Sequence, residues 1–419
     1  MNRSFTDNNL NLRKEGSVSH CGTSITTIMN SQFDKSFANE FSFSLPTKII
    51  FGAGCVSKLP EVLAEYGIKY PLIITDKGIV NAGIAGKVEA MVPDYVLFSG
   101  VEANPKDENV KDATIEYKNG RNDGIIAVGG GSAIDCAKAV GVLAANNTLD
   151  IRPFEDRSLG VKPLPPLISI PTTAGTGSEV TFSSVITNTK GHYKMTIKNA
   201  FTAPTVALCD PELTLSVPPS VTASTGMDAL THAIEGYTAT CSNSIADSVA
   251  LYAMQIIYAN LETAVNYGED LEARSAMLMG SLLAGIAFSH SDVGSVHCIA
   301  EALGGKYDLA HGTCNAVILP YMMEYNKEYC VKRYAKCAEA FGLPVYGFTD
   351  EEKAKAAVEA VRELAQKVGL PKFSELGVNE KDFPALAMAS YKNGSTPSNP
   401  RKMGVAEYTE VLKIMQGTK

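Results

Sequence analysis

Ile125-Ile126-Ala127-Val128-Gly129-Gly130-Gly131-Ser132-Ala133-Ile134-Asp135 runs an unbroken apolar segment through three glycines into a helical pattern. A short apolar run without polar alternation reads as a strand covered on both faces, as in a parallel sheet. The glycines allow backbone to approach an anion, and the following helix offers free N–H groups and the positive end of its dipole. The stretch therefore reads as strand, phosphate-binding turn and helix in an α/β domain. Ser132 as N-cap with Asp135 three residues on resembles a capping box. The spacing is not Gly-x-Gly-x-x-Gly, so a tight strand–helix turn without a ligand stays open at this point.

Outward from this turn the same alternation continues. Lys48–Phe51, Leu72–Thr75, Tyr95–Phe98, Leu167–Ile170 and Val206–Cys209 read as further buried strands. Between the strands, Val56–Tyr66, Ile79–Met91, Asn109–Asn119 and Ala133–Ala145 read as helices, which implies right-handed crossovers in a mostly parallel sheet. Pro218-Pro219 then punctuates the chain, and the apolar period beyond is helical, as in Ser248–Asn260, Leu271–Ser289, Lys353–Val368 and Val405–Met415. The expected division is an α/β domain over residues 41–217 and an all-helical domain over residues 218–419. Residues 1–40 read as an extension, either a disordered tail or a short docking segment for a partner or compartment shell, with Ile25, Ile28, Met29, Phe33 and Phe37 near helical spacing.

A second loop strengthens the nucleotide reading. Ile170-Pro171-Thr172-Thr173-Ala174-Gly175-Thr176-Gly177-Ser178-Glu179 supplies hydroxyls and flexible backbone directly after an apolar strand. Two such loops at strand ends of one open sheet are where α/β proteins bind nucleotides. Asp76 follows another strand. There a carboxylate either bonds a ribose 2′-hydroxyl, favouring NAD over NADP, or caps the next helix.

The helical half carries a second constellation. Asp228 and His232 stand four residues apart on one helical face, followed by His297 and His311, and the 419 residues contain only six histidines. One carboxylate and three imidazoles suit Fe(II) or Zn(II) and disfavour Mg or Ca, which prefer oxygen cages. A surface Asp–His pair with two unrelated buried histidines is the blander alternative.

Composition narrows the class. Net charge is −8, with 45% hydrophobic and 20% charged residues, ordinary for a globular enzyme and without a basic surface for nucleic acid or anionic membrane. Nine cysteines without a Cys-x-x-Cys read as reduced thiols in a cytoplasmic protein. Residues 1–24 lack the continuous apolar core of a signal peptide, and the apolar run Ala276–Phe288 is too short to span a bilayer.

Together the glycine triplet with Ser132 and Asp135, the Pro171–Thr176 loop, Asp228-Ala229-Leu230-Thr231-His232-Ala233-Ile234-Glu235, and His297 followed by His311-Gly312 resemble the iron-containing (group III) alcohol dehydrogenase family. The resemblance runs from about Phe41 to near the C-terminus. It implies a metal in a cleft between the two domains, with Asp228, His232, His297 and His311 as ligands. It also implies cofactor contacts at Asp76, Asn104, Gly130, Gly131, Ser132, Asp135, Thr172, Thr173, Thr176 and Lys194. Glu301 departs from the family's pattern, which places a second histidine four residues after the one matching His297. A carboxylate there can take and give protons, making Glu301 the candidate catalytic residue, or it pairs with Lys306 on the helix face. The resemblance further implies NAD(H)-linked oxidation of small alcohols or diols and reduction of aldehydes, with Fe(II) or Zn(II) acting as Lewis acid, in a homodimer or larger homo-oligomer. A glycerol or hydroxy-acid dehydrogenase, and a lyase on the related dehydroquinate-synthase scaffold, are the alternatives.

Overall fold

The computed structural model describes residues 40–418. Apart from Glu40, the extension and its docking role therefore lie outside the described residues. Among the described residues there are eight strands: β1 Lys48–Phe51, β2 Pro71–Asp76, β3 Val96–Val101, β4 Gly124–Gly129, β5 Leu167–Pro171, β6 Ser183–Asn188, β7 Tyr193–Lys198 and β8 Val206–Cys209. Six of them form one parallel sheet in the order β1-β8-β5-β4-β2-β3. Its helices are α1 Leu59–Glu65, α2 Lys77–Asn81, α3 Ile84–Glu89, α4 Asp107–Asn119 and α5 Gly131–Ala145.

Alternate residues of each strand feed two separate cores. Leu72, Ile74, Ile125, Ala127 and Leu167 pack with Val110 and Ala113 of α4 and with Ile134, Val140 and Leu143 of α5. Their neighbours Ile73, Ile126, Val128, Ile168 and Ile170 pack on the other face with Leu59, Val62 and Leu63 of α1 and Ile84 and Val88 of α3. A strand apolar at every position needs helices on both faces, and it has them. From β2 the chain steps to β3 on one side and returns to β4 on the other, so the ends of β2 and β4 frame the switch point where open α/β sheets bind ligands.

Three local expectations differ. The helix expected over Ile79–Met91 is two short helices, because Gly83 adopts φ 74°, a left-handed geometry that ends one helix before the next begins. The polar, alternating segments of β6 and β7 form an antiparallel hairpin that the apolar-run reading passes over. The capping box is absent: α5 begins at Gly131 with Gly130 at its cap, and the Asp135 carboxylate turns inward to Ser178 Oγ and the Val185 N–H.

Beyond β8 the described residues contain helices and no strand: α6 Pro219–Thr238, α7 Ser244–Asn266, α8 Leu271–Ser289, α9 Ser295–Tyr307, α10 His311–Asn326, α11 Val331–Ala340, α12 Asp350–Lys367, α13 Phe383–Lys392 and α14 Val405–Gln416. They share one large apolar cluster. At 19 residues α8 is longer than its apolar run suggested and long enough to cross a bilayer, but 61% of its apolar window is buried inside the protein. Leu278, Leu282 and Ile286 on α8 meet Ala207 and Cys209 of β8 in a smaller core that ties the sheet to the helices. At this joint Gly177 comes so near α8 that a Cβ would stand 2.7 Å from Gly285 Cα, a fit open only to glycine.

Candidate active site

Three helices bring four acceptor side chains together. Asp228 and His232 are one turn apart on α6, His297 is in the first turn of α9, and His311 opens α10. Their ligand-capable atoms all lie within 4.8 Å of one another. Asp228 Oδ1 stands 3.9 Å from both His232 Nδ1 and His311 Nε2. Bonds of about 2.1 Å to a tetrahedral ion place ligand atoms roughly 3.4 Å apart, so the 3.9 Å pairs must close by about half an ångström and no pair by more than about 1.4 Å.

The surrounding groups prepare these atoms. Glu235, three residues beyond His232, accepts from His297 Nδ1 at 2.6 Å and from the Val296 N–H at 2.8 Å. A carboxylate only accepts, so Nδ1 carries the ring proton and Nε2 presents its lone pair to the cluster. Phe288 of α8 stacks on the His232 ring at 4.4 Å between centroids. Asn315, one turn after His311, aims its amide nitrogen at Asp228 Oδ1 (2.6 Å), His297 Nε2 (3.1 Å) and His311 Nε2 (3.1 Å). Two N–H groups thus face three acceptors, and His232 Nδ1 is buried without a hydrogen-bond partner. Converging lone pairs of this kind suit a cation.

Burial pushes His232 down to about 4 and His311 well below its usual value, so both are neutral and able to ligate near pH 7. His297 differs from the other two imidazoles: burial lowers it, but its hydrogen bond to Glu235 and the nearby carboxylates outweigh burial and raise it above its ordinary value. Burial alone would raise Asp228, but the three imidazoles and Asn315 outweigh it and hold the carboxylate ionised. One carboxylate with three imidazoles fits Fe(II) or Zn(II).

From this cluster a cavity of about 1760 Å³ runs to the ends of β2 and β4. Asp76, Asn104, Gly130, Gly131, Ser132, Asp135, Thr172, Thr173, Thr176, Lys194, the four metal-ligand candidates and Glu301 all line it. The two small-residue loops touch directly: the Thr172 N–H donates to the Gly129 carbonyl at 3.0 Å. A Cβ on Gly131 would meet Thr176 Cγ2 at 2.6 Å, so only glycine lets the loops close. Thr172 Oγ1 is buried without a partner although its residue lines the cavity. Glycine backbone at a helix start, beside two hydroxyl-bearing residues, is a cradle for phosphate.

Asp76 serves both readings offered by the sequence. Its Oδ1 accepts from the Ile79 N–H at 3.0 Å and caps α2, and the residue still lines the cavity. Lys194 Nζ donates to Asn104 Oδ1 at 2.7 Å, and Asn104 Nδ2 donates to Asp308 Oδ1 at 2.8 Å, a relay from β7 to the end of α9. Glu301 does not pair with Lys306, which bonds Asp382 instead. It accepts from Asn393 Nδ2 at 2.6 Å.

Sequence reasoning assigned no role to Glu235, Asn315, Phe288, Lys138 or Asn393. Glu235 and Asn315 sit three and four residues from ligand candidates, so helix-face arithmetic could have found them. Lys138 stands among the apolar residues Ala137, Ala139 and Val140 of α5. It is fully buried, and Nζ donates to Ser178 Oγ, Thr181 Oγ1 and the carbonyls of Thr181 and Ser183, pinning α5 to the loop after β5. Asn393 lies 92 residues from Glu301, and no local pattern connects them.

Residues 46–211 match the iron-containing alcohol dehydrogenase family, and residues 222–416 match the C-terminal part of the Fe-containing alcohol dehydrogenase family. The chain is 40% identical over 381 residues to the 1,3-propanediol dehydrogenase of Citrobacter freundii, covering 89% of this chain and 98% of that one. It is 36% identical over 377 residues to the NAD-dependent methanol dehydrogenase of Bacillus methanolicus, covering 89% and 99%. Among solved structures, an alcohol dehydrogenase from Oenococcus oeni superposes with a TM-score of 0.86 at 37% identity, covering 90% of this chain and all of that one. Fold, donor set and these likenesses agree: the chain belongs to the iron-containing alcohol dehydrogenase family and is a metal-containing, NAD-dependent alcohol dehydrogenase.

Proposed function

We propose that Asp228, His232, His297 and His311 hold one divalent ion, Fe(II) before Zn(II), and that the chain interconverts small alcohols or diols with their aldehydes at this ion. The observation that carries this reading is the single cavity joining the glycine and threonine loops to the acceptor cluster. When bound, the ion supplies Lewis acidity toward a substrate oxygen, and NAD supplies the hydride acceptor.

The chain's own residues do the rest. Gly130, Gly131, Ser132 and Thr173 offer N–H and hydroxyl donors to the pyrophosphate, and Thr172 and Thr176 fix the loop around them. Asp76 takes the adenosine ribose hydroxyls and repels a 2′-phosphate, selecting NAD. Asn104 and Lys194 reach the nicotinamide side. Asp135 acts beneath the cradle, through Ser178 and the start of β6. Glu235 orients His297, and Phe288 with Val293 keeps the substrate end apolar and short of water. Glu301 faces the same space one turn beyond His297 and on this reading contacts the substrate.

On this reading residues 41–217 are the cofactor half and residues 218–419 the metal half, working across a shared cleft in a cytoplasmic homo-oligomer. The test is an NADH absorbance assay on the anaerobically purified, metal-loaded enzyme with short alcohols, diols, glycerol, hydroxy acids and aldehydes. NADH-linked turnover of alcohols and diols, with acids inert, is the expected result. No change in NADH with any alcohol or aldehyde would move the chain to redox-neutral chemistry such as that of a lyase.

A further inference from the structure

Glu301 stands one helical turn beyond His297 and faces the cavity next to the acceptor cluster. Its two carboxylate oxygens are not equivalent. Oε2 accepts from Asn393 Nδ2 at 2.6 Å, which fixes the carboxyl plane, while Oε1 has no hydrogen-bond partner among the described residues. The neighbouring carboxylate differs: Asp292 uses its oxygens on Ser395 Oγ (3.0 Å), Ser398 Oγ (2.8 Å) and the Val293 N–H (2.9 Å), so it is committed to the loop. Lys194 lines the same cavity and donates to Asn104 Oδ1 at 2.7 Å.

An acceptor lone pair kept open in a partly apolar cavity wants a donor from whatever occupies that cavity. One helical turn is about 5.4 Å along the axis. A substrate oxygen held at the His297 end therefore has its second or third carbon near Glu301. We propose that Glu301 is a specificity-determining residue: its Oε1, held in place by Asn393, accepts a hydrogen bond from a second hydroxyl of the substrate, so that the enzyme selects short diols and hydroxyaldehydes over unsubstituted alcohols and aldehydes. The inference rests on the alcohol dehydrogenase reading of the same cavity and names its substrate class. Burial raises Glu301 from its ordinary value, and a hydroxyl donor satisfies that half-buried group without bringing in a new charge. An alcohol that ends in a methyl group leaves Oε1 unpaired, which is how polar sites reject apolar analogues.

The experiment measures kcat and KM for 1,3-propanediol, 1-propanol and 3-amino-1-propanol on the metal-loaded enzyme, Glu301→Gln and Glu301→Ala. The wild type should favour the diol over 1-propanol by about 10- to 100-fold in kcat/KM, the size of one hydrogen bond to a charged acceptor. Glu301→Ala should erase most of that ratio, chiefly through KM for the diol, and Glu301→Gln should keep an intermediate ratio because its carbonyl still accepts. Asn393→Ala, which frees the carboxyl without removing it, should lower the ratio less. If Glu301→Ala folds poorly, the ratio in Glu301→Gln decides. A diol-to-propanol ratio that is equal in wild type and variants would overturn the proposal, and so would a wild-type preference for the amino alcohol, which would make Glu301 a cation site. An enzyme inert toward every alcohol would instead overturn the dehydrogenase reading, so the two failures are distinct.

Discussion

Replacing Glu235 by Gln tests whether the cluster of α6, α9 and α10 is built around a metal. Glu235 accepts from His297 Nδ1 at 2.6 Å with one oxygen and from the Val296 N–H at 2.8 Å with the other. Gln is nearly isosteric but brings one acceptor where two are needed. Either the Val296 N–H faces an amide N–H, or His297 must switch tautomer and turn a protonated Nε2 toward the ion. A hydrogen bond to a charged group contributes about 1.5–3 kcal/mol, and substitutions behind a metal-bound imidazole typically cost about 10- to 100-fold in metal affinity. The assay titrates Fe(II) or Zn(II) into apo-protein against a chromogenic chelator of known affinity, with circular dichroism to establish that the variant is folded. A weakening of about 10- to 100-fold is expected. A folded Glu235→Gln variant binding metal within about twofold of wild type would refute the role given to this carboxylate.

Other predictions concern the cofactor side and the fold. Gly131→Ala should raise the NADH dissociation constant about tenfold by fluorescence titration, because its Cβ would press Thr176 at 2.6 Å and overpacking costs about 1–3 kcal/mol. Asp76→Ser keeps a cap for α2 but removes the charge, so the preference for NADH over NADPH should fall about tenfold; an unchanged preference would leave Asp76 only its capping role. Glu179 is buried, with Oε1 unpartnered, and burial pushes it from 4.5 up to about 7. Its folded form holds the proton more tightly, so its contribution to stability is full below about pH 4.5 and is lost as pH rises through about 7. Urea unfolding of Glu179→Gln should lack this slope, gaining on wild type by about 3 kcal/mol between those limits.

Much of the fold was readable because the central sheet strands carry near-continuous apolar runs. Ile125–Val128 and Leu167–Ile170 admit little besides a doubly covered parallel sheet, and the structure places helices on both faces. The hairpin of β6 and β7 escaped because Ser183–Asn188 and Tyr193–Lys198 are polar at more than half of their positions and owe their pairing to the packing of Ile186, Met195 and Ile197 on α5. The break at Gly83 was visible as a residue but not as a conformation, since glycine is tolerated inside helices as well as at their ends. Asp228 and His232 were legible because a helix places residues four apart on one face. Their convergence with His297 and His311 is a property of three packed helices; the donor types and the scarcity of histidine pointed to it, and the likeness to a family supported the full ligand set. Asn393 shows the remaining limit: its role depends on the group it faces 92 residues away, and a side-chain amide carries no sequence signature for that.

The central claim is that Asp228, His232, His297 and His311 form one metal site on which NADH-linked alcohol oxidation depends. The measurement that tests it most directly is metal content by elemental analysis paired with turnover, before and after chelation and after reconstitution with Fe(II) or Zn(II). The account predicts about one ion per chain, loss of activity with its removal, recovery on return, and neither ion nor activity in Asp228→Ala. Full turnover by a chain verified to hold no metal would contradict it.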